Sequence, residues 1–216
     1  MATNLGLNQE AAPEHSGYLT DLDSLLKHYL DFETICAVDP EDSGFWRTEG
    51  AYKARLKAIK WLASISMPLY TDRKALHLGA LSWRLCMTQG VNCKKITDIA
   101  VYPTMIEFLV VAFERAVIEL PERFSEKEPE LNTEQQATYT RKIAMQPFNN
   151  VCRLANLLLC DHDNLLFRCS ELAAACFLIG TQSEKIDPSL FRRYTRHIIE
   201  STKSAIVYAR AMCGLS

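Results

Sequence analysis

Asp161-His162-Asp163 is the densest grouping of chemistry-bearing side chains in this sequence. Two carboxylates and an imidazole could ligate a hard or borderline cation, or act as a base with its orienting acid. Adjacent residues in a turn point in different directions, however. The same run serves as a helix connection whose carboxylates cap the next helix, and we adopt that reading. The remaining histidines, His15, His28, His77 and His197, are widely spread, and no H-E-x-x-H, G-x-S-x-G, Walker or G-x-G-x-x-G motif occurs. With 8 glycines in 216 residues, a phosphate-cradling loop is not expected. The chain reads as a non-enzyme with no metal and no cofactor.

Thiols and basic groups are the other reactive material. The eight cysteines contain no C-x-x-C, and most sit in apolar stretches such as Leu172-Ala173-Ala174-Ala175-Cys176-Phe177. They read as small buried hydrophobes rather than zinc ligands or a redox pair. Arg192, Arg196, Lys203 and Arg210 fall within about 40° of one another on a helix, a basic stripe roughly 25–30 Å long at 1.5 Å per residue. Such a stripe either engages phosphates or an acidic partner, or is a solvated face. It lacks the interleaved aromatics of a platform for single-stranded nucleic acid. Lys53, Lys57 and Lys60 form a second stripe with the same two readings.

The elements that must position these groups are helical. Apolar residues make up 48% and charged residues 23%, an ordinary globular balance, and the length of 216 residues favours one domain. A net charge of -2 gives no bulk attraction to nucleic acid or an anionic membrane. The longest apolar runs, Phe108 to Phe113 and Leu172 to Ile179, are far short of the roughly 20 residues that span a bilayer. No secretory signal or N-myristoyl start is visible, so an intracellular location, cytoplasmic or nuclear, is expected.

Residues 1–17 lack any period and read as a disordered tail, with structure beginning near Thr20. One all-α domain of about six to eight helices is expected over residues 18–216. A short helix spans Asp21 to Leu30. In the next, Lys53 to Ser66, the lysines and Ser64 share one side and the other positions are almost all apolar, which predicts a mostly buried helix. Arg55 points into that apolar sector and requires a carboxylate or backbone carbonyls as partner.

Helices are also expected over Arg73 to Thr88 and Thr104 to Leu120, the latter apolar on every side at its centre and the core of the fold. Residues 121–136 form an acidic loop. Helix resumes at Thr138, is interrupted by Pro147 and continues to Cys160. Leu165 to Ile179 follows, stopped by Gly180, and a last helix runs from Asp187-Pro188 to about Met212.

The run Ala54-Arg55-Leu56-Lys57-Ala58-Ile59-Lys60-Trp61-Leu62, followed after thirteen residues by Leu76-His77-Leu78, resembles the first two helices of a cyclin box. Ala112-Phe113-Glu114 is similar to the acidic end of the third cyclin helix, and Thr138-Tyr139-Thr140-Arg141-Lys142 to the entry of the fifth. Asp161-His162-Asp163 with Leu165 to Phe177 is similar to the turn and Ala-rich helix of the second half of cyclins. The resemblance covers about residues 52–180.

It implies a regulatory subunit that binds a cyclin-dependent kinase, with Glu114 and Arg115 among the contacts. It also implies a docking patch at Ala54, Ala58 and Trp61. The lysine that meets the kinase in cyclins falls at Ala112, and its companion glutamate falls on no acidic residue near Phe148. Trp83-Arg84 stands where cyclins place the aspartate that pairs with the buried arginine. The alternatives are a helical adaptor or host-modulating viral interaction protein, and a small helical nucleic-acid-binding protein using the basic stripes. Trp61 separates two physical cases. As core, its loss costs roughly 3–5 kcal/mol; as a surface anchor, its loss abolishes binding and leaves stability unchanged.

Overall fold

The computed structural model describes residues 11–35, 48–66, 75–80, 103–119, 133–161, 163–182 and 199–215. Six helices carry most of them: α1 (Ala11–Ile35), α2 (Glu49–Ser66), α3 (Met105–Glu119), α4 (Thr133–Leu159), α5 (Cys169–Gly180) and α6 (Ile199–Met212). A 3-10 turn, Asp163–Leu166, joins α4 to α5, and residues 75–80 are also helical. No strand occurs among the described residues, so the fold is all-α.

The most enclosed element is α5, which packs on α3, α4 and α6. Every residue from Ser170 to Phe177 is buried. Its three consecutive alanines, with Ala205 and Ala209 of α6, are wholly inaccessible and let the two helix backbones come close. Phe113 meets Phe177 and Phe148 at ring-centroid distances of 5.0 and 4.9 Å, and Tyr29 of α1 meets Phe108 edge-on at 5.8 Å.

Several elements differ from the sequence expectation. α1 begins at Ala11, inside the expected tail, with Pro13 in its first turn, where the missing N–H costs nothing. The centre of α3 is apolar all round but not buried all round: Val110 is exposed, Glu107, Glu114 and Arg115 are half-exposed, and the more enclosed position falls to α5. The acidic segment ends earlier than expected, because Thr133 to Gln136 already belong to α4.

Pro147 does not interrupt α4, which runs unbroken through it. Pro147 is fully buried, and the packing of α4 on α3 and α5 outweighs the roughly 3 kcal/mol intrinsic penalty. Gly180 ends α5 as expected, with Thr181 as the C-cap, though not through a left-handed conformation. Among the described residues only Gly214 has positive φ. A Cβ at Gly180 would lie 2.5 Å from Val151 Cγ2 and 3.1 Å from Val151 Cα, so glycine there permits close passage of α4.

The expected mostly buried α2 buries one stripe only, Ala51, Arg55 and Ile59, with Leu62 and Ala63 at its edge. Among the described residues the surface facing it is small. α2 meets Leu76, Ala80 and Leu159 in a satellite cluster separate from the main core. A Cβ at Gly79 would come within 2.9 Å of Leu62 Cδ1, so the 75–80 segment lies close against α2.

Candidate functional site

The outer face of α2 carries the predicted docking residues together. Ala54, Ala58 and Trp61 follow one another at helical spacing; Ala54 is exposed, Ala58 half-buried and Trp61 62% exposed. Lys57 and Lys60 are exposed beside the indole. Lys53 is paired with Glu49 at 2.6 Å, one turn back. The exposed side of α2 thus carries an aromatic ring and lysines together, a surface suited to a partner with carboxylates around an apolar contact.

Behind that face, Arg55 meets the requirement its position imposes. It is 2% exposed, and its guanidinium donates to the carbonyls of Leu159 and Asp161, each at 2.9 Å, and to Asn164 Oδ1 at 3.2 Å. The acceptors are the end of α4 and the turn that follows, where free carbonyls and the negative end of the helix dipole favour a cation. Asn164 Nδ2 donates to Leu158 O at 2.8 Å, so this one amide holds both the helix end and the arginine. The Asp161 carboxylate accepts from the Asp163 N–H at 2.8 Å, the turn-capping role expected of it. Among the described residues no group of His, Cys, Asp and Glu has metal-binding geometry, and His162 lies outside them.

His77 is buried, and its Nε2 lies 2.9 Å from Asn156 Oδ1 on α4. Because Oδ1 can only accept, Nε2 donates. Burial lowers the imidazole pKa to about 4, against the raising influence of Asn156 and Glu107, so the ring is neutral at pH 7. Tyr208 of α6 stacks on Phe167 at 5.1 Å, and its hydroxyl is pushed well up by burial and then by the charges of Asp161 and Asp163.

The other predicted residues are dispersed. Arg115 forms an ion pair with Asp23 of α1, which ties α3 to α1, and Glu114 is half-exposed beside it. Ala112 is buried, so it presents nothing to a partner. On α6, Lys203 and Arg210 are exposed on either side of Val207, itself 69% exposed, while Arg192 and Arg196 lie outside the described residues, as do Trp83 and Arg84. Cys152 and Cys176 are buried, and Cys160, Cys169 and Cys213 are half-buried free thiols. Burial raises the thiol pKa of Cys176 and Cys213, which keeps them in the unreactive protonated form.

Sequence reasoning overlooked Asn164, Asn156 and Thr104. Only Thr104 carries a local signal, in the Thr-x-x-Glu spacing to Glu107 that marks a helix start. No described helix is long and apolar enough to cross a membrane. Comparison with protein-family models, with curated proteins and with solved structures gives no match to this chain.

Proposed function

We propose that this chain is a non-enzymatic helical regulatory protein, cyclin-like in kind, that binds a protein partner through the outer face of α2. A protein kinase is the partner its sequence resemblance implies. The observation that carries the reading is Trp61, 62% exposed on a helix whose attachment depends on Arg55, Ile59 and Leu62 instead. A large aromatic held in water by a fixed helix is poised to become the buried anchor of an interface. Arg55 supports this by fixing α2 on a helix end, so the indole is presented with little ordering cost.

The test is calorimetric titration of the full-length chain, and of its Trp61→Ala variant, against a purified cyclin-dependent kinase. The native chain should bind, and the variant should bind roughly 30-fold more weakly or worse, the weakening typical of a lost tryptophan anchor. Failure of the native chain to bind removes the kinase. A pull-down from the source cells at moderate salt then separates the remaining readings. Proteins retained by the native chain and lost by the variant point to an adaptor, whereas nucleic acid retained by both, with steep salt dependence, points to the basic stripes.

A further inference from the structure

A half-open pocket of about 40 Å³ lies where α2, the 75–80 segment, the start of α3 and the α4–α5 turn meet. Its wall includes Arg55, His77, Asn164 and Thr104, with Met105 and Leu159 on the apolar side. These four polar residues are almost wholly enclosed. A water molecule needs about 10–15 Å³ on this measure and two to four polar partners, so the pocket admits roughly three or four waters but no metabolite-sized ligand.

Thr104 is the residue that points to an occupant. It immediately precedes α3, where a threonine hydroxyl ordinarily accepts from the N–H of the third helical residue. Only the reciprocal half of that arrangement is formed: the Thr104 N–H donates to Glu107 Oε2 at 2.5 Å, while the Glu107 N–H is taken by the Thr104 carbonyl at 3.1 Å. The Thr104 hydroxyl, on a residue 1% exposed, meets no hydrogen-bond partner among the described residues. A buried hydroxyl withdrawn from its helix and left in an apolar wall would carry the full cost of its desolvation. A pocket whose wall carries polar groups, and which is large enough for water, removes that cost.

We infer that this pocket is a specific hydration site, in which ordered water accepts from or donates to Thr104 Oγ1. The water links the first turn of α3 to the polar groups around Arg55 and His77. It therefore joins α2 and its attachment to the main core through solvent, beside the direct bonds of Arg55.

Met105, 2% exposed on the pocket wall, supplies the reporter. The full-length protein, labelled with ¹³C at its methionine methyl groups, is observed by water-selective NOE spectroscopy as native chain, Thr104→Val and Thr104→Ser. The native chain should show a long-lived water contact to the Met105 methyl, Thr104→Ser should keep it, and Thr104→Val should weaken or lose it. Thr104→Val should also melt ~2–4 °C lower, the shift that about one lost hydrogen bond causes in a chain of this length.

A higher melting temperature for Thr104→Val would mean a dry pocket and overturn the inference. So would an absent native contact, or a lower melting temperature with the water contact unchanged, which would return the hydroxyl to helix capping. Loss of the contact in Thr104→Ser would overturn the hydroxyl's part in it.

Discussion

Around Phe177 the chain is held by area: aromatic rings, leucines and a run of alanines from five helices meet in one apolar cluster. Around Arg55 it is held by direction. Three hydrogen bonds from one guanidinium seat α2 on the end of α4, beside an apolar cluster that includes, among the described residues, Ile59, Leu76, Ala80 and Leu159. Area burial is non-directional and tolerates small shifts, whereas a guanidinium against fixed carbonyls sets one position. The contrast suits the proposed role, since the region that must present Trp61 needs orientation more than bulk.

The largest way to break the contrast is at its apolar end. Phe177→Ala should cost about 3–5 kcal/mol in urea unfolding and lower protection from hydrogen exchange across the whole molecule. Next is Arg55→Met, which keeps the apolar stem and removes the donors. It should cost about 3 kcal/mol, read as faster exchange in α2 while amides of α5 keep their native rates. Equal loss of protection in α5 would show that the two regions melt as one and that the distinction is false.

The pH dependence sharpens the same boundary. His77 is neutral in the folded chain down to about pH 4, while an unfolded histidine protonates near 6.5. A depressed folded pKa means stability that is full above 6.5 and lost as pH falls from 6.5 towards 4. At pH 5 the loss should be about 2 kcal/mol relative to pH 7, and His77→Gln should abolish that component in urea titrations at the two pH values. The smallest effect belongs to Trp61→Ala, with stability changed by less than about 0.5 kcal/mol in thermal unfolding while partner binding is lost. A loss of 3 kcal/mol or more would place the indole in a core and remove the docking reading.

What the sequence disclosed follows the same division. Helical period found the lysine stripe of α2, placed Arg55 against the apolar side and demanded a partner for it. It did not find the partner, because two of the three acceptors are backbone carbonyls more than a hundred positions away, and every residue has one. The exposure of Trp61 was equally hidden. A tryptophan at helical spacing looks the same whether the opposing surface is broad or, as here, a small cluster. Pro147 misled because local penalty was weighed without the packing that overrides it. Gly180 was read as a stop, and α5 does end there; what stayed hidden is that the same glycine also lets Val151 pass. The 161–163 run was read as a connector, and in the described part Asp161 does that work together with the overlooked Asn164.

α4 belongs to both regions through consecutive residues. Leu158 enters the main core, and Leu159 enters the satellite cluster and lends its carbonyl to Arg55. Consecutive helical residues differ by about 100° in azimuth, so the rotational phase of one helix sets the bearing of α2 against everything else. Inserting or deleting a single residue between Val151 and Leu158 would rotate both sets of contacts away at once. A four-residue insertion, close to one full turn, would restore the azimuth and displace α2 by about 6 Å along the axis. The length of α4 thus works as a gauge: it fixes how far from the main core the tryptophan face stands.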